Sequence, residues 1–391
     1  MVRKDITFIY SDSVEKQVYE MIAKEAEARG YKTRITDDKF CKCEIGWYCQ
    51  HINFPQYSKF SIIMLHDITQ QYGYWPDIWY REPWNKYDIG FLPNKIWAKN
   101  WYRVSDKYYT RPRKGIYLTG WPKADRVSEY MDETKRNEFK KSIGINPNIP
   151  TILYAPAWEN DGKQDDFVQA MLKLNVNILI KQAPWSEKYA EQIENIRIMY
   201  EKHKNNPRVI QMDPKTNILD AIMISDVLVS EESSTMLEAV MMGKPAVSVT
   251  NWLIPDRIPS RYPSDDYEFT INTKKENLTE CIEDILNDYE SYQTKAKEYS
   301  SSHCSNIGNC IPMMLDILDA RINGTKCHIK ALRGKKARRL KFSKFVNHIL
   351  IISRREISHN YCERNPVLKL MYKAYNSLRI KIRKLKMHQN D

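Results

Sequence analysis

"VLVSEESSTMLEAVMMGKPAVSV", residues 227–249, holds an apolar run, two acids, two serines, a helical segment and a second apolar run in 23 residues. VLVS reads as a strand, MLEAVMM as a helix that stops at Gly243, and AVSV as the next strand. A strand, helix and strand in so short a span call for a parallel sheet with crossover connections. The turn between the first two elements carries Ser233 and Ser234, and Glu238 follows about one turn into the helix. Serine is a preferred N-cap, and the pair is consistent with that role alone. A strand-to-helix turn also gathers free N–H groups and the positive end of a helix dipole at one point, which suits a phosphate. On that reading the hydroxyls add donors, and Glu238 accepts hydrogen bonds from ribose hydroxyls. Both readings stand at this point.

The same alternation extends in both directions. From residue 151, "TILYAPA", "NILIK", "RVIQM", "DVLVS" and "AVSV" alternate with helical segments such as "DDFVQAMLKL" and "NILDAIMI". Upstream, "DITFIYSD", "YKTRITD", "EIGWYCQ", "FSIIMLH", "YDIGFLP" and "GIYLTG" form an earlier series, with a helix over "SVEKQVYEMIAKEAEARG". "NPNIP" after a charged helical segment reads as a linker. Residues 276–297 read as one further helix. Two α/β blocks predict a two-lobed protein whose ligands sit in the cleft, at the carboxyl ends of the strands.

A chain of 391 residues suits two domains of ordinary size. Eight cysteines in such a length read as reduced thiols of a cytosolic protein. The first residues pass from charge directly into a strand, without the apolar core of a signal peptide. No stretch has the roughly 18–20 apolar residues that a membrane-spanning helix needs. The net charge of +12 is uneven: Ile329 to Asp391 carries 18 Lys and Arg against three acids, a net of +15, and the preceding residues sum to −3. Such a tail points to nucleic acid or an anionic membrane surface. The chain has 12 Gly and neither a Walker A nor a GxGxxG sequence, which excludes a glycine-rich phosphate cradle.

Three further groups could carry chemistry. Lys181 ends the strand "ILIK", so its side chain opens toward the same side as Ser233 and Ser234 and faces one anion site with them. It is equally consistent with a solvated strand-end lysine. His66 follows four apolar residues and emerges at the carboxyl end of a buried strand. A histidine there is often structural; its functional reading is a general base, since imidazole titrates near pH 6.5. Cys41, Cys43, Cys49 and His51 are all metal-ligand types, but their spacing lacks paired CxxC knuckles, and strand alternation sends them to different faces. Packed free thiols are the expectation.

Several of these segments together resemble the CDP-glycerol glycerophosphotransferases of wall teichoic acid synthesis, over roughly residues 60–255. "TGWPKAD" is similar to the family's G-x-P-R-x-D, with Lys123 where Arg is usual. "ILYAPAWEND" resembles its "ILYAPTWR", and "ILDAIMISDVLVSEESSTMLEAVMMGKPAV" its "D-x-SS-x-x-x-[DE]" block followed by "KP". The resemblance implies two Rossmann-like lobes in a GT-B-like α/β fold with a central cleft, continued here by a basic helical C-terminal tail. The corresponding expectation for the domains is an acceptor-side lobe over 1–125, a donor-binding lobe over 126–315 and the tail over 316–391. Ser233, Ser234 and Thr235 are then expected to hold a donor pyrophosphate, Glu238 its ribose, and Lys181 to assist. His66 would serve as the catalytic base.

The chain departs from the family at two places. Asp67 follows His66 where Gly is usual, and Lys181-Gln182-Ala183-Pro184 stands where the family has K-x-H-P. Gln182 or Lys181 is expected to supply the missing donor. The implied donor is a CDP-polyol, the acceptor a lipid-linked or polymer hydroxyl, and no cofactor or metal is called for. A GT-B glycosyltransferase or a nucleotide-sugar epimerase is the alternative enzyme class. Residues 333–387 set apolar positions among Lys and Arg at three- and four-residue steps, as in a basic amphipathic helix on an anionic leaflet. They are equally consistent with packing back on the body. The tail has few aromatics spaced to stack on bases, so nucleic acid is the lesser expectation. A cytoplasmic protein, peripheral on the inner face of the cell membrane, follows from these expectations.

Overall fold

Parallel strands buried on both faces must be apolar throughout, and the short apolar runs of this chain become strands for that reason. The protein, in a computed structural model, is described over residues 4–50, 53–69, 78–79, 82–185, 187–256, 259–264 and 267–337, with short pieces at 346, 349–350, 353, 365–371, 374–375 and 377–378. β1 (Asp5–Ile9), α1 (Ser13–Ala28), β2 (Lys32–Thr36), β3 (Cys43–Cys49), β4 (Ser58–Met64), β5 (Ile89–Leu92), α2 (Lys95–Val104) and β6 (Ile116–Leu118) form the first lobe. α3 (Val127–Tyr130) and α4 (Glu133–Ser142) lead to β7 (Thr151–Tyr154), α5 (Lys163–Leu172), β8 (Asn177–Ile180), α6 (Ala190–His203) and β9 (Val209–Gln211). The second lobe continues through α7 (Ile218–Ile224), β10 (Val227–Ser230), α8 (Thr235–Met241), β11 (Ala246–Val249), β12 (Ile271–Thr273), α9 (Leu278–Asn287) and α10 (Tyr289–His303). α11 (Cys310–Asn323) follows.

The two sheets run in the orders β2-β1-β3-β4-β5-β6 and β12-β11-β10-β7-β8-β9, and every pairing is parallel. Strand order reverses between β1 and β3 in the first sheet and between β7 and β10 in the second. Ligands of open α/β sheets bind outside the carboxyl ends of strands at such switch points. The segments that leave those ends are residues 10–15 after β1, 155–158 after β7 and 231–235 after β10.

Each sheet is covered on its outer face by its own apolar cluster, which contains Ile63, Trp84 and Trp101 in the first lobe and Tyr154, Phe167 and Ile282 in the second. The inner faces share one continuous cluster that runs from Ile6 and Trp47 to Leu153 and Leu228. The lobes therefore meet on packed apolar surface below the cleft.

Two boundaries differ from expectation. The helix expected over 276–297 is two helices, α9 and α10, broken at Asp288, whose backbone leaves the helical region (φ −126°, ψ 43°). The expected start of the tail at residue 316 falls inside α11. That helix buries Ile311, Met314, Leu315 and Leu318 and packs back on α1 of the first lobe. Arg29 reaches its Asp316 at 2.6 Å, and Tyr31 donates to Asp319 at 2.6 Å. Residues up to 335 stay with that lobe: Leu332 N–H donates to the Ile116 carbonyl at 2.8 Å, and Lys335 N–H to Ser105 Oγ at 2.9 Å. Gly120 of TGWPKAD has φ +93°, and a Cβ there would stand 2.3 Å from the Ser305 carbonyl oxygen, so this crossing needs glycine.

Of the tail's apolar positions, Ile349, Leu350, Met371, Tyr375 and Leu378 are exposed, while Leu340, Phe342, Phe345, Ile382 and Leu385 lie outside the described residues. Among the described residues no helix is long and apolar enough to cross a membrane.

Candidate functional site

One cleft of about 230 Å³ lies between the lobes and is lined by His66 from the first and by Lys181, Ser233, Ser234, Thr235 and Glu238 from the second. All six expected residues therefore meet in one place. Trp121, Lys123, Trp158, Gln182, Pro214 and Arg261 complete much of its wall.

The serine turn is held from beneath. Lys163 and Glu231 form an ion pair at 2.5 Å, and both side chains are wholly buried. Glu231 also accepts from the Trp158 N–H at 2.9 Å, and Lys163 donates to the Trp158 carbonyl. The loops after β7 and β10 are thereby tied together. Burial pushes the Glu231 carboxyl up, against the pull of Lys163. Glu232 has φ +39°, a left-handed conformation that strains a non-glycine residue by about 1–2 kcal/mol. It is held there by the Arg261 guanidinium at 2.5 Å and the Ser264 N–H at 2.8 Å. Ser233 Oγ lies 2.8 Å from Thr235 Oγ1 and accepts from the Thr235 N–H at 3.3 Å, so it, rather than Ser234, caps the helix. The three hydroxyl residues are half-buried and line the cleft.

Glu238 is buried, and its Oε1 accepts from Lys123 Nζ at 2.9 Å and from Trp121 Nε1 at 2.9 Å. The lysine that stands for the usual arginine of the TGWPKAD segment thus pairs with the acid of the serine block, across 115 positions of sequence. Asp125 of the same segment accepts from the N–H groups of Cys310 and Ile311 at 2.6 and 2.7 Å and fixes the start of α11.

Lys181 and Gln182 are engaged differently from expectation. Lys181 Nζ donates to the carbonyls of Gln182 at 3.0 Å and Pro214 at 2.7 Å, which braces the loop between β9 and α7. Burial, and then the charge of Lys123, push its ammonium down to about 8 against the pull of Asp213. Gln182 Nε2 donates to Glu159 at 3.0 Å and to Gln164 at 2.9 Å, both buried. Its amide donors therefore point into the lobe, because Glu159 gathers Tyr154, Gln164 and Asn195 as well. A donor in place of the family histidine is not what Gln182 supplies in this arrangement.

His66 is anchored by its N–H to Gln50 Oε1 at 3.2 Å. Its ring Nδ1 lies 2.8 Å from Glu15 Oε1, and Nε2 lies 3.6 Å from Asp12 Oδ2. Burial pushes the imidazolium down, but the Glu15 hydrogen bond and the charges of Asp12, Glu15 and Asp67 outweigh it and hold the ring up at about 9. Sequence reasoning missed Glu15. The available signal was Asp12-Ser-Val-Glu15 straight after a strand, the spacing of a capping box. Asp12, Glu15 and His66 also bring ligand-type atoms within 4.8 Å of one another, but the Nδ1–Oε1 contact is a direct hydrogen bond.

The cysteine segment separates, but not by strand alternation: Cys43 and Cys49 are six positions apart in β3 and so share a face. Cys49 lies in the inner core, and Cys41, ahead of the strand, packs on the outer cluster. His51 lies outside the described residues.

A family model described as CDP-Glycerol:Poly(glycerophosphate) glycerophosphotransferase matches residues 80–306. A teichoic acid glycerol-phosphate transferase of Staphylococcus aureus (strain NCTC 8325 / PS 47) is 24% identical over 139 residues, 34% of this chain and 35% of the relative. The matched stretch thus spans about a third of that relative's length. The wall teichoic acid polymerase TagF soaked with CDPG superposes with a TM-score of 0.58 at 15% identity, over 82% of this chain and 89% of the other. The S. aureus MnaA–UDP co-structure superposes with a TM-score of 0.59 at 10% identity, over 85% and 99%. These likenesses show the fold, a two-lobed GT-B-like α/β architecture.

Proposed function

The chain belongs to the CDP-glycerol:poly(glycerophosphate) glycerophosphotransferase family, and on that premise we propose that it transfers a polyol phosphate, most simply glycerol phosphate from CDP-glycerol, to an acceptor hydroxyl in cell-envelope polymer synthesis. The observation that carries this reading is the single cleft in which His66 of one lobe faces Ser233, Ser234, Thr235 and Glu238 of the other. The hydroxyls and N–H groups at the start of α8 receive the donor's pyrophosphate. Glu238, with Oε1 engaged by Lys123 and Trp121, turns its second oxygen to the ribose. Lys181 acts through the Pro214 loop that it braces, and its positive charge adds to the field on the diphosphate. The acceptor oxygen attacks the distal phosphorus and its proton passes to His66. The bond from that phosphorus to the bridging oxygen breaks, and CMP leaves. Charge on the departing phosphate is met by donors already oriented by the buried network below.

CDP-glycerol is expected to raise the melting temperature, because a ligand bound to the native state stabilises it. With both Ser233 and Ser234 replaced by Ala, donor binding should weaken by roughly 1–3 kcal/mol while the fold persists, since the backbone N–H groups remain. A folded double variant with undiminished donor affinity overturns the serine assignment. Product analysis tests the reaction class. CMP is the expected product, whereas release of a nucleoside diphosphate would mark sugar transfer.

The acceptor is proposed to be lipid-linked or polymeric and to be met at an anionic membrane surface through residues 333–387. The exposure of Ile349, Leu350, Met371, Tyr375 and Leu378 supports this, as does the net charge of +15 after residue 328. Each Lys or Arg near such a surface contributes on the order of 1 kcal/mol. Because residues through 335 contact the first lobe, a shortened chain should end at Ala337. That chain is expected to bind donor but no longer to sediment with phosphatidylglycerol vesicles at low salt. Equal sedimentation of the two chains overturns the tail's role.

A further inference from the structure

We propose that Glu15 is a positioning residue for His66: its buried carboxylate accepts the Nδ1–H and makes Nε2 the ring nitrogen that meets the acceptor hydroxyl. The family match begins at residue 80, so neither this carboxylate nor its contact with His66 is part of it. The inference rests on the reading of His66 as the base and adds the group that orients it.

Glu15 is 1% exposed and lies in the first turn of α1, directly after the carboxyl end of β1. Its two oxygens have different partners. Oε2 accepts the N–H of Ser11, the residue before the N-cap Asp12, at 2.5 Å, a contact that secures the helix start. Oε1 faces His66 Nδ1 at 2.8 Å. A helix cap accounts for the first contact and not for the second. A neutral imidazole has one N–H and one lone pair, and a carboxylate can only accept, so Nδ1 must carry the proton in this contact. The base atom is then Nε2, in the arrangement by which a buried carboxylate orients a histidine in acyl-transfer triads.

The charged groups around the ring come from each element packed on it. Asp12 caps α1 and lies 3.6 Å from Nε2, and Asp67 follows on the chain. Tyr19 and Cys49, coupled to Glu15 from below, are held neutral by burial. Lys123, Lys181 and Glu238 share the cleft wall on the far side. The carboxylates nearest the ring dominate and hold it up at about 9.

Glu15→Gln separates the two contacts. Glutamine still accepts the Ser11 N–H through its carbonyl oxygen, so the helix start is kept. Its NH2 group can only donate, which turns Nδ1 into the acceptor and moves the ring proton to Nε2. Histidine ¹⁵N–¹H spectra of the full chain, with the His66 signal assigned from a His66→Gln variant, read this directly. In Glu15→Gln the midpoint of His66 should fall from about 9 toward the ordinary value near 6.5, with the Nδ1–H tautomer lost. The acid limb of the kcat profile should move to lower pH by the same interval, its alkaline plateau should fall about 10–100-fold, and KM for the donor should hold. Near neutral pH the larger neutral fraction offsets part of that loss, so the plateau is the proper comparison. If Glu15→Gln fails to fold, Glu15→Asp serves, because its carboxylate is one methylene too short to keep the 2.8 Å contact. An unchanged midpoint and tautomer in either folded variant overturns the proposal. Full turnover in His66→Ala would instead overturn the base reading, and the spectra would still decide what Glu15 does.

Discussion

Lys163→Met is expected to lower the stability of the second lobe by about 3–5 kcal/mol, because it leaves the carboxylate of Glu231 buried without its counter-charge. Both side chains are fully buried and their pair distance is 2.5 Å, so water cannot compensate. Glu231 has the Trp158 N–H as a further donor, and burial already raises its carboxyl. Protonation of Glu231 will therefore absorb part of the loss as the pH falls. The denaturant midpoint should drop with an unchanged m-value. A second replacement, Glu231→Met in the same chain, should recover much of the loss, because removing both charges also removes the desolvation cost. A single variant as stable as the parent would mean that the pair is not sealed from solvent. Since the pair joins the loops after β7 and β10, donor affinity should fall along with stability.

His66→Ala is expected to lower turnover by about 10²–10⁴-fold with donor affinity retained, which sets it apart from the lysine variant. The pH dependence distinguishes a base from a bystander. With the ring held up at about 9, its neutral form is the minor one at pH 7, so kcat should climb as pH rises and level off above pH 9. In the variant that climb should vanish. Stability changes in the opposite direction. The folded value of about 9 lies above the unfolded value near 6.5. The charged ring therefore stabilises the fold fully below pH 6.5, and that contribution is lost as pH rises through 9. The parent should thus outlast His66→Ala more clearly at pH 6 than at pH 10. A parent rate that is flat from pH 7 to 10 would remove His66 from proton transfer.

Apolar runs such as VLVS and SIIM have one stable placement in a chain of this composition, between two layers of helices in a parallel sheet. Sequence reading therefore marked eleven of the strand segments later seen, ten as apolar runs and β2 (KTRIT, a polar edge strand) as the segment that follows α1. β12, INT at 271–273, has little apolar content and pairs only at the sheet's edge, so composition left no mark of it. The ends of those strands also placed His66, Lys181 and the two serines toward one side, because every parallel strand opens its carboxyl end there. What each side chain does on arrival was decided by tertiary structure. His66 and Glu15 are 51 positions apart. Lys123 meets Glu238, 115 positions away, and Lys181 turns to the carbonyl of Pro214 rather than outward. α11, which the expected boundary at residue 316 divides, becomes the helix that returns to the first lobe. Periodicity reports the face a residue occupies, since that depends on its near neighbours. Hydrogen bonds between distant segments depend on strand order and on which buried groups lack other partners, and these exist only once both sheets have formed.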